Sequence, residues 1–131
     1  MIAFERTLKV LAVAIFGISA LHILVGVASE TLLGSGISAT SILDPNLDSQ
    51  NRFYGAAFAL FGVVWWLASA NVNGYQHLLR ASFLVFFLGG VARVISVVVV
   101  GWPTLPVIGL TVIELVLPWV MILWLKRVVD G

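Results

Sequence analysis

The sequence predicts an all-α integral membrane protein, folded as a four-helix bundle of up-down topology. Of the 131 residues, 61% are hydrophobic and only 10% are charged, whereas soluble domains are about 25% charged. The mean hydropathy is +1.12. Four apolar segments each have the roughly 20 residues that a helix needs to cross a membrane. We expect residues 1–131 to form a single transmembrane domain, with helices at about 6–28, 45–70, 78–100 and 105–126 and an outer loop at 29–44.

The distribution of basic residues predicts the orientation in the membrane. The loops at 29–51 and 101–104 contain Glu30, Asp44 and Asp48 but no lysine or arginine. Because cytoplasmic loops carry an excess of Lys and Arg, we expect both termini in the cytoplasm and a multi-pass protein of the cell inner (plasma) membrane. The net charge of +1 gives no reason to expect nucleic acid as a partner. Five basic residues flank the opposite ends of the apolar segments: Arg6, Lys9, Arg80, Lys126 and Arg127.

Local signals support each predicted element in turn. The apolar run of the first helix is longer than the core of a signal peptide, so we expect it to remain as a membrane helix. Asp44 followed by Pro45 is typical of a helix start, because Asp is a favoured N-cap and Pro a favoured first residue. Asn73-Gly74 predicts the turn between the second and third helices. Pro118 removes one backbone hydrogen bond from the fourth helix and is expected to bend it.

The second predicted helix has one distinctive face. At a period of 3.6 residues a polar pair is followed by small residues on one stripe: Asp48, Arg52, Gly55, Ala59 and Gly62. Asp48 and Arg52 are spaced for an i,i+4 ion pair, and the small residues allow close helix contact in a membrane. We therefore expect Arg52 to point into the bundle. The alternative is that it extends to the lipid head groups from the end of the helix.

Two charged residues lie deep within apolar segments. Arg93 is about 10 Å and Glu114 about 13 Å from the outer ends of the third and fourth helices, at a rise of 1.5 Å per residue. Charges at such depth normally face the protein interior and find partners. We predict an Arg93–Glu114 ion pair. Either this pair only holds the bundle together, or it belongs to a binding pocket.

All four helices bring polar groups to one level, in the outer half of the bilayer. We predict a ligand-binding site with two arginines against one intramembrane glutamate, and therefore a net positive charge that suits an anionic or carbonyl-bearing ligand. One His and one Glu are too few for a metal site, the chain has no cysteine, and we expect neither a metal nor a cofactor. The candidate site residues are His22, Asn51, Arg52, Tyr54, Arg93 and Glu114.

The motif residues also resemble a known family. The resemblance covers nearly the whole chain and rests on residues 51–55 (NRFYG), Gly89-Gly90 with Arg93, residues 101–103 (GWP) and Glu114. The chain is similar to a bacterial family of small four-helix membrane proteins that is catalogued as a domain of unknown function and is distantly DoxX-like. This resemblance implies four transmembrane helices with a polar motif on one side. DoxX-like proteins include subunits linked to quinone-dependent oxidoreductases, which implies an accessory role.

Three kinds of function fit these features. The first, which the sequence favours, is a non-catalytic accessory subunit or binding module for a lipid-like or quinone-like ligand. The second is an enzyme acting on a lipophilic substrate, with His22 or Glu114 as acid–base and with Arg52 and Arg93 holding an anion; it requires His22 and Glu114 to share one site. The third is a small transporter, which the apolar inner halves of the helices disfavour. Expected partners are membrane lipid and a larger membrane protein complex or a second copy of the chain.

Overall fold

A computed structural model describes the whole chain, residues 1–131, and every regular element in it is helical. The helix α1 (Ile2–Val25) is followed directly by a 3₁₀ helix, η1 (Gly26–Leu33), and by the short helix α2 (Ala39–Ile42). Three long helices complete the chain: α3 (Pro45–Ala68), α4 (Gln76–Val100) and α5 (Leu105–Asp130). The four long helices coincide with the four predicted segments, and their ends differ from the predicted ones by at most four residues.

The predicted outer loop at 29–44 is more ordered than expected. The helix α1 ends at Gly26 because the φ of this residue is 68°, which is not a helical value. Glycine adopts such a φ readily, whereas residues with a side chain rarely do. Short polar side chains then stabilise the tight turns that follow: the Ser29 and Thr31 hydroxyls donate to carbonyls three residues back. Ser38 accepts a hydrogen bond from the Ser41 backbone N–H and caps α2. The high Ser, Thr and Gly content that predicted a loop therefore supports two short helices.

The start of α3 follows the prediction. The Asp44 carboxylate accepts hydrogen bonds from the backbone N–H groups of Asn46 (2.8 Å) and Leu47 (3.3 Å), and Pro45 occupies the first helical turn. These are donors that a helix start otherwise leaves without partners. The cap fixes where α3 begins, and hence the height at which its polar residues lie.

The long helices form two closely packed antiparallel pairs, α1 with α3 and α4 with α5. Gly55 lies against His22, and Gly62, two turns further along α3, lies against Phe16. A Cβ added at Gly55 would come within 2.7 Å of the His22 Cβ and 3.1 Å of the Ser19 carbonyl oxygen. Glycine is therefore required for α1 and α3 to approach this closely, as the small-residue stripe predicted.

The apolar core fills the half of the bundle that carries the termini. Phe4 and Trp124 pack edge-to-face there, with ring centroids 5.3 Å apart, so the two termini lie at one end. The Trp65 indole N–H donates to the Ser82 hydroxyl at 3.0 Å within this core. We call this end the termini end, and the opposite end, which carries η1 and α2, the loop end. The largest fully buried side chains of the core are Phe4, Leu8, Trp65, Leu79, Phe83 and Met121.

Much of the outer surface is apolar. Val98, Val100 and Leu105 are each more than 80% exposed, which in water would be costly for so many large side chains. Three segments are long and apolar enough to cross a membrane: Ile2–Leu33, Gln76–Val100 and Leu105–Asp130. The helix α3 has a similar length, but its first two turns are polar. These features indicate a membrane protein.

Candidate functional site

The predicted ion pair between α4 and α5 is present. The Arg93 Nε donates to the Glu114 Oε2 at 2.7 Å. Glu114 is only 8% exposed, whereas the Arg93 side chain is 40% exposed. Gly90 allows this short contact, because a Cβ there would lie 3.0 Å from the Leu115 side chain and 3.1 Å from the Glu114 backbone. Arg93 uses Nε alone, so both of its Nη groups have no partner within the protein.

A second cluster of polar side chains forms where η1 passes α1 and α3. The Asn51 Nδ2 donates to the Glu30 Oε1 at 3.1 Å, and the His22 Nε2 lies 3.5 Å from the same oxygen. On its other side, the His22 Nδ1 lies 2.9 Å from the Ile18 carbonyl oxygen. Glu30 was missed as a candidate because the sequence places it in a segment with the composition of a loop. A glutamate eight residues after a histidine in an apolar helix was the only available signal.

The Arg93–Glu114 pair and this second polar cluster line one cavity of about 360 Å³. Its apolar walls include Leu21, Phe58 and Leu110. Five helical elements therefore converge on it: α1, η1, α3, α4 and α5. The polar residues of the lining are His22, Ser29, Glu30, Asn51, Tyr54, Arg93 and Glu114.

The charge of the lining differs from the expected one. With His22 neutral, Arg93 contributes one positive charge, and Glu30 and Glu114 contribute two negative charges, so the formal charge is −1. The net positive charge expected from the sequence depended on Arg52, which is not among the lining residues. Glu30 has been gained and Arg52 lost, and these two changes reverse the sign.

Arg52 instead stabilises the break between α1 and η1. Its Nε donates to the Asp48 Oδ2 at 2.7 Å, the predicted i,i+4 pair. Its Nη1 donates to the carbonyl oxygens of Ile23 and Leu24 in the last turn of α1, where a positive charge is favourable. The Asp48 Oδ1 accepts from the Val27 backbone N–H at 3.2 Å, at the start of η1. We call this pair the Asp48–Arg52 clasp.

The clasp affects the acid–base chemistry of Asp48. The hydrogen bond from Arg52 lowers the pKa of the Asp48 carboxyl below its usual value, and the bond from the Val27 N–H acts in the same direction. Asp48 lies in the first turn of α3, before the apolar part of that helix. The predicted Asp48–Arg52 pair is present, but the Arg52 side chain is 42% exposed, and its partners are Asp48 and the backbone of α1 rather than the cavity.

Tyr54 lies at the edge of the cavity. It is 60% exposed, and its hydroxyl donates to the Gln50 Oε1 at 3.3 Å. Tyr54 and Asn51 also line a second, more open depression of about 590 Å³ between α2 and α3. No group of three or more His, Cys, Asp or Glu side chains is placed to hold a metal ion.

Fold and site together define a small all-helical membrane protein in which charged groups from several helices surround one cavity. The chain belongs to the family described as Domain of unknown function (DUF4345), which matches residues 4–125. This match confirms the resemblance to an uncharacterised family, while the DoxX-like similarity stays a prediction. Comparison with curated proteins and with solved structures gives no match.

Proposed function

We propose that this protein is a membrane-embedded binding module whose cavity holds the polar head of a lipid-like or quinone-like ligand. In this proposal all four long helices cross the cell inner (plasma) membrane, both termini are cytoplasmic, and the cavity lies in the outer half of the bilayer. The module acts as an accessory subunit of a larger membrane complex, in line with the distant DoxX-like resemblance. The observation that carries this proposal is the cavity lined by the Arg93–Glu114 pair and by the cluster of His22, Glu30 and Asn51.

The size and lining of the cavity favour an amphipathic ligand. Small-molecule sites have volumes of about 300–1,000 Å³, so a cavity of about 360 Å³ accommodates a head group or a single ring rather than a whole lipid. The apolar walls suit the hydrocarbon part next to that head. The two free Nη groups of Arg93 supply hydrogen-bond donors to a phosphate, carboxylate or carbonyl oxygen.

Binding is favoured over transport by the other half of the bundle. A transporter needs polar access from both sides, whereas the termini end is filled by a buried core that includes Trp65, Phe83 and Met121. The alternative of an enzyme keeps one supporting feature: His22 and Glu114 line the same cavity. The hydroxyls that line this cavity are bonded elsewhere, Ser29 to the Gly26 carbonyl oxygen and Tyr54 to Gln50, and no cluster of ligating side chains is placed for a metal, so we rank a binding module first.

The proposed orientation is tested by cysteine labelling, which is clean here because the chain has no cysteine. Gly36→Cys introduces a thiol at the loop end, where nothing lies within 4 Å of the added Cβ. Asn73→Cys introduces one in the exposed turn between α3 and α4. We expect a membrane-impermeant maleimide to label the first variant in spheroplasts and the second only after permeabilisation. The opposite pattern would place the termini outside the cytoplasm.

Ligand binding is tested by native mass spectrometry with lipidomics on the purified protein. Leu110→Trp fills the cavity while keeping every polar group, because Leu110 is a wall residue. Val112→Trp is the matched control, since Val112 is two residues further along α5 and is 53% exposed. We expect the wild type and the control to retain the same amphipathic molecule and Leu110→Trp to lose it. Equal retention by all three proteins would refute the proposal.

A further inference from the structure

We infer that the cavity selects a ligand whose head group carries a primary ammonium, and that Glu30 is the carboxylate that binds it. This inference rests on the proposed function and adds the chemical class of the ligand. It follows from the hydrogen-bonding roles of the polar atoms around the cavity, which are unequally divided between donors and acceptors.

The first step is the charge balance. Arg93 and Glu114 form a close ion pair at 2.7 Å and neutralise each other. Glu30 is then the one carboxylate of the lining that has no basic side chain of Lys or Arg bonded to it. Its side chain is 31% exposed, so it is accessible from the cavity. A carboxylate at this level of an apolar bundle is stabilised by a cationic partner.

The second step concerns the tautomer of His22. The Ile18 carbonyl oxygen can only accept a hydrogen bond, so the His22 Nδ1, 2.9 Å away, must carry the proton. In the neutral imidazole Nε2 is then an acceptor, and it is this atom that lies 3.5 Å from the Glu30 Oε1. In this neutral state two acceptors face each other, whereas a doubly protonated His22 would itself donate to Glu30. A donor from outside the protein, held by both atoms, removes this conflict.

The third step concerns Asn51. Its Nδ2 donates to the Glu30 Oε1, which fixes the orientation of the amide, because a flipped amide would direct oxygen against oxygen. The Asn51 Oδ1 is consequently a buried acceptor without a partner. The amide N–H is thus the only donor that the neutral side chains supply to Glu30. This end of the cavity is rich in acceptors and poor in donors.

An ammonium group matches this end. It carries a positive charge and three N–H donors, which suit the Glu30 carboxylate and the His22 Nε2 together. Arg93 lines the same cavity, and its two Nη groups, which have no partner within the protein, suit an anionic oxygen of the same ligand. A zwitterionic head group with an ammonium and a phosphate meets both requirements and is compatible with the formal charge of −1 of the lining. A quaternary ammonium has no N–H, and a glycerol head group has no positive charge.

Competition between phospholipids of different head groups tests this inference. The purified protein is delipidated, mixed with equimolar phosphatidylethanolamine, phosphatidylcholine and phosphatidylglycerol of identical acyl chains, and examined by native mass spectrometry. We expect phosphatidylethanolamine to be retained about tenfold more than either competitor, which corresponds to about 1.4 kcal/mol, because only its head group offers a charged N–H donor to Glu30. Glu30→Gln keeps the shape and the acceptor for Asn51 but removes the charge, and it should abolish the preference.

Two variants and one soluble competitor control the interpretation. Glu5→Gln removes the same charge at the termini end and should leave the preference unchanged, whereas Glu30→Asp should retain part of it. Soluble phosphoethanolamine displaces the lipid if the head group alone is recognised, and it fails to do so if the acyl chains are also required. A preference for another head group, or one that survives in Glu30→Gln, would overturn the inference. If the wild type retains all three lipids equally and Leu110→Trp retains none, the ammonium class alone is refuted. If Leu110→Trp retains lipid as well as the wild type does, the cavity is refuted as the site.

Discussion

Gly26, at the break between α1 and η1, should be the glycine at which a single methyl group is most damaging. Its backbone has φ 68° and ψ −145°, a combination that is essentially restricted to glycine and costs other residues about 1–3 kcal/mol. A Cβ at this position would also lie 1.8 Å from the Asp48 Oδ1 and 3.0 Å from the Arg52 Nη2. Gly26→Ala must therefore strain the backbone and displace the Asp48–Arg52 clasp.

Gly17→Ala, in the interior of the helix that ends just before Gly26, is the matched control. Nothing lies within 4 Å of a Cβ at Gly17, which is in the interior of α1 with helical geometry. Alanine in a helix interior is favoured over glycine by about 0.5–1 kcal/mol. The backbone terms alone therefore separate the two alanine variants by about 1.5–4 kcal/mol in free energy of unfolding. Displacement of the clasp increases this difference.

The assay is reversible unfolding in mixed detergent micelles, followed by tryptophan fluorescence, since the chain has five tryptophans. Gly26→Ala should unfold at a clearly lower denaturant fraction than the wild type, and Gly17→Ala at an equal or higher one. Equal stability of the two variants would show that the chain is not broken at Gly26 in the way described. It would also remove the structural basis for placing Glu30 beside His22.

Two further substitutions test how polar groups are held between the helices. Replacing Glu114 alone with Leu leaves the Arg93 guanidinium without its ion-pair partner and should cost about 3 kcal/mol, the low end of the range for buried pairs because Arg93 is 40% exposed. The double variant Arg93→Met/Glu114→Leu should be more stable than that single variant, and a strictly additive loss in the unfolding assay would contradict this. Ser82→Ala removes the acceptor of the buried Trp65 indole N–H and should cost about 1–3 kcal/mol; unchanged stability and tryptophan fluorescence would contradict it.

Some features of the site could be predicted because the membrane leaves few alternatives. A charge far inside an apolar helix must find a partner, so two such charges at similar depth, Arg93 and Glu114, predicted their own pairing. Asp44-Pro45 predicted a helix start because capping depends on adjacent residues alone. The helix start depends on adjacent residues, and the need for the ion pair depends on the surrounding lipid. The structure contains both the Asp44 cap and the Arg93–Glu114 pair.

Other features depended on how distant segments meet. A helical period identifies the face on which Arg52 lies but not what that face packs against, so its contacts with the last carbonyls of α1 were not predictable. Likewise, the composition of residues 29–44 indicates a polar connection, whereas the turn at Gly26 decides that Glu30 approaches His22. Together with the absence of Arg52 from the lining, that placement changes the formal charge of the cavity lining from the expected positive value to −1.

The sequence by itself determined the helical class, the four long apolar segments and the need for Arg93 and Glu114 to pair, because hydropathy, capping and charge burial act through neighbouring residues or through the surrounding lipid. Only the tertiary structure decided which polar residues share the cavity. The reason is that close packing of α1 on α3 at Gly55, and the turn at Gly26, together fix the path of η1 across the bundle. The contacts of Glu30 with Asn51, of Val27 with Asp48 and of Arg52 with the last carbonyls of α1 join residues 21 to 29 positions apart. They depend on that path, and no periodicity within a single helix records it.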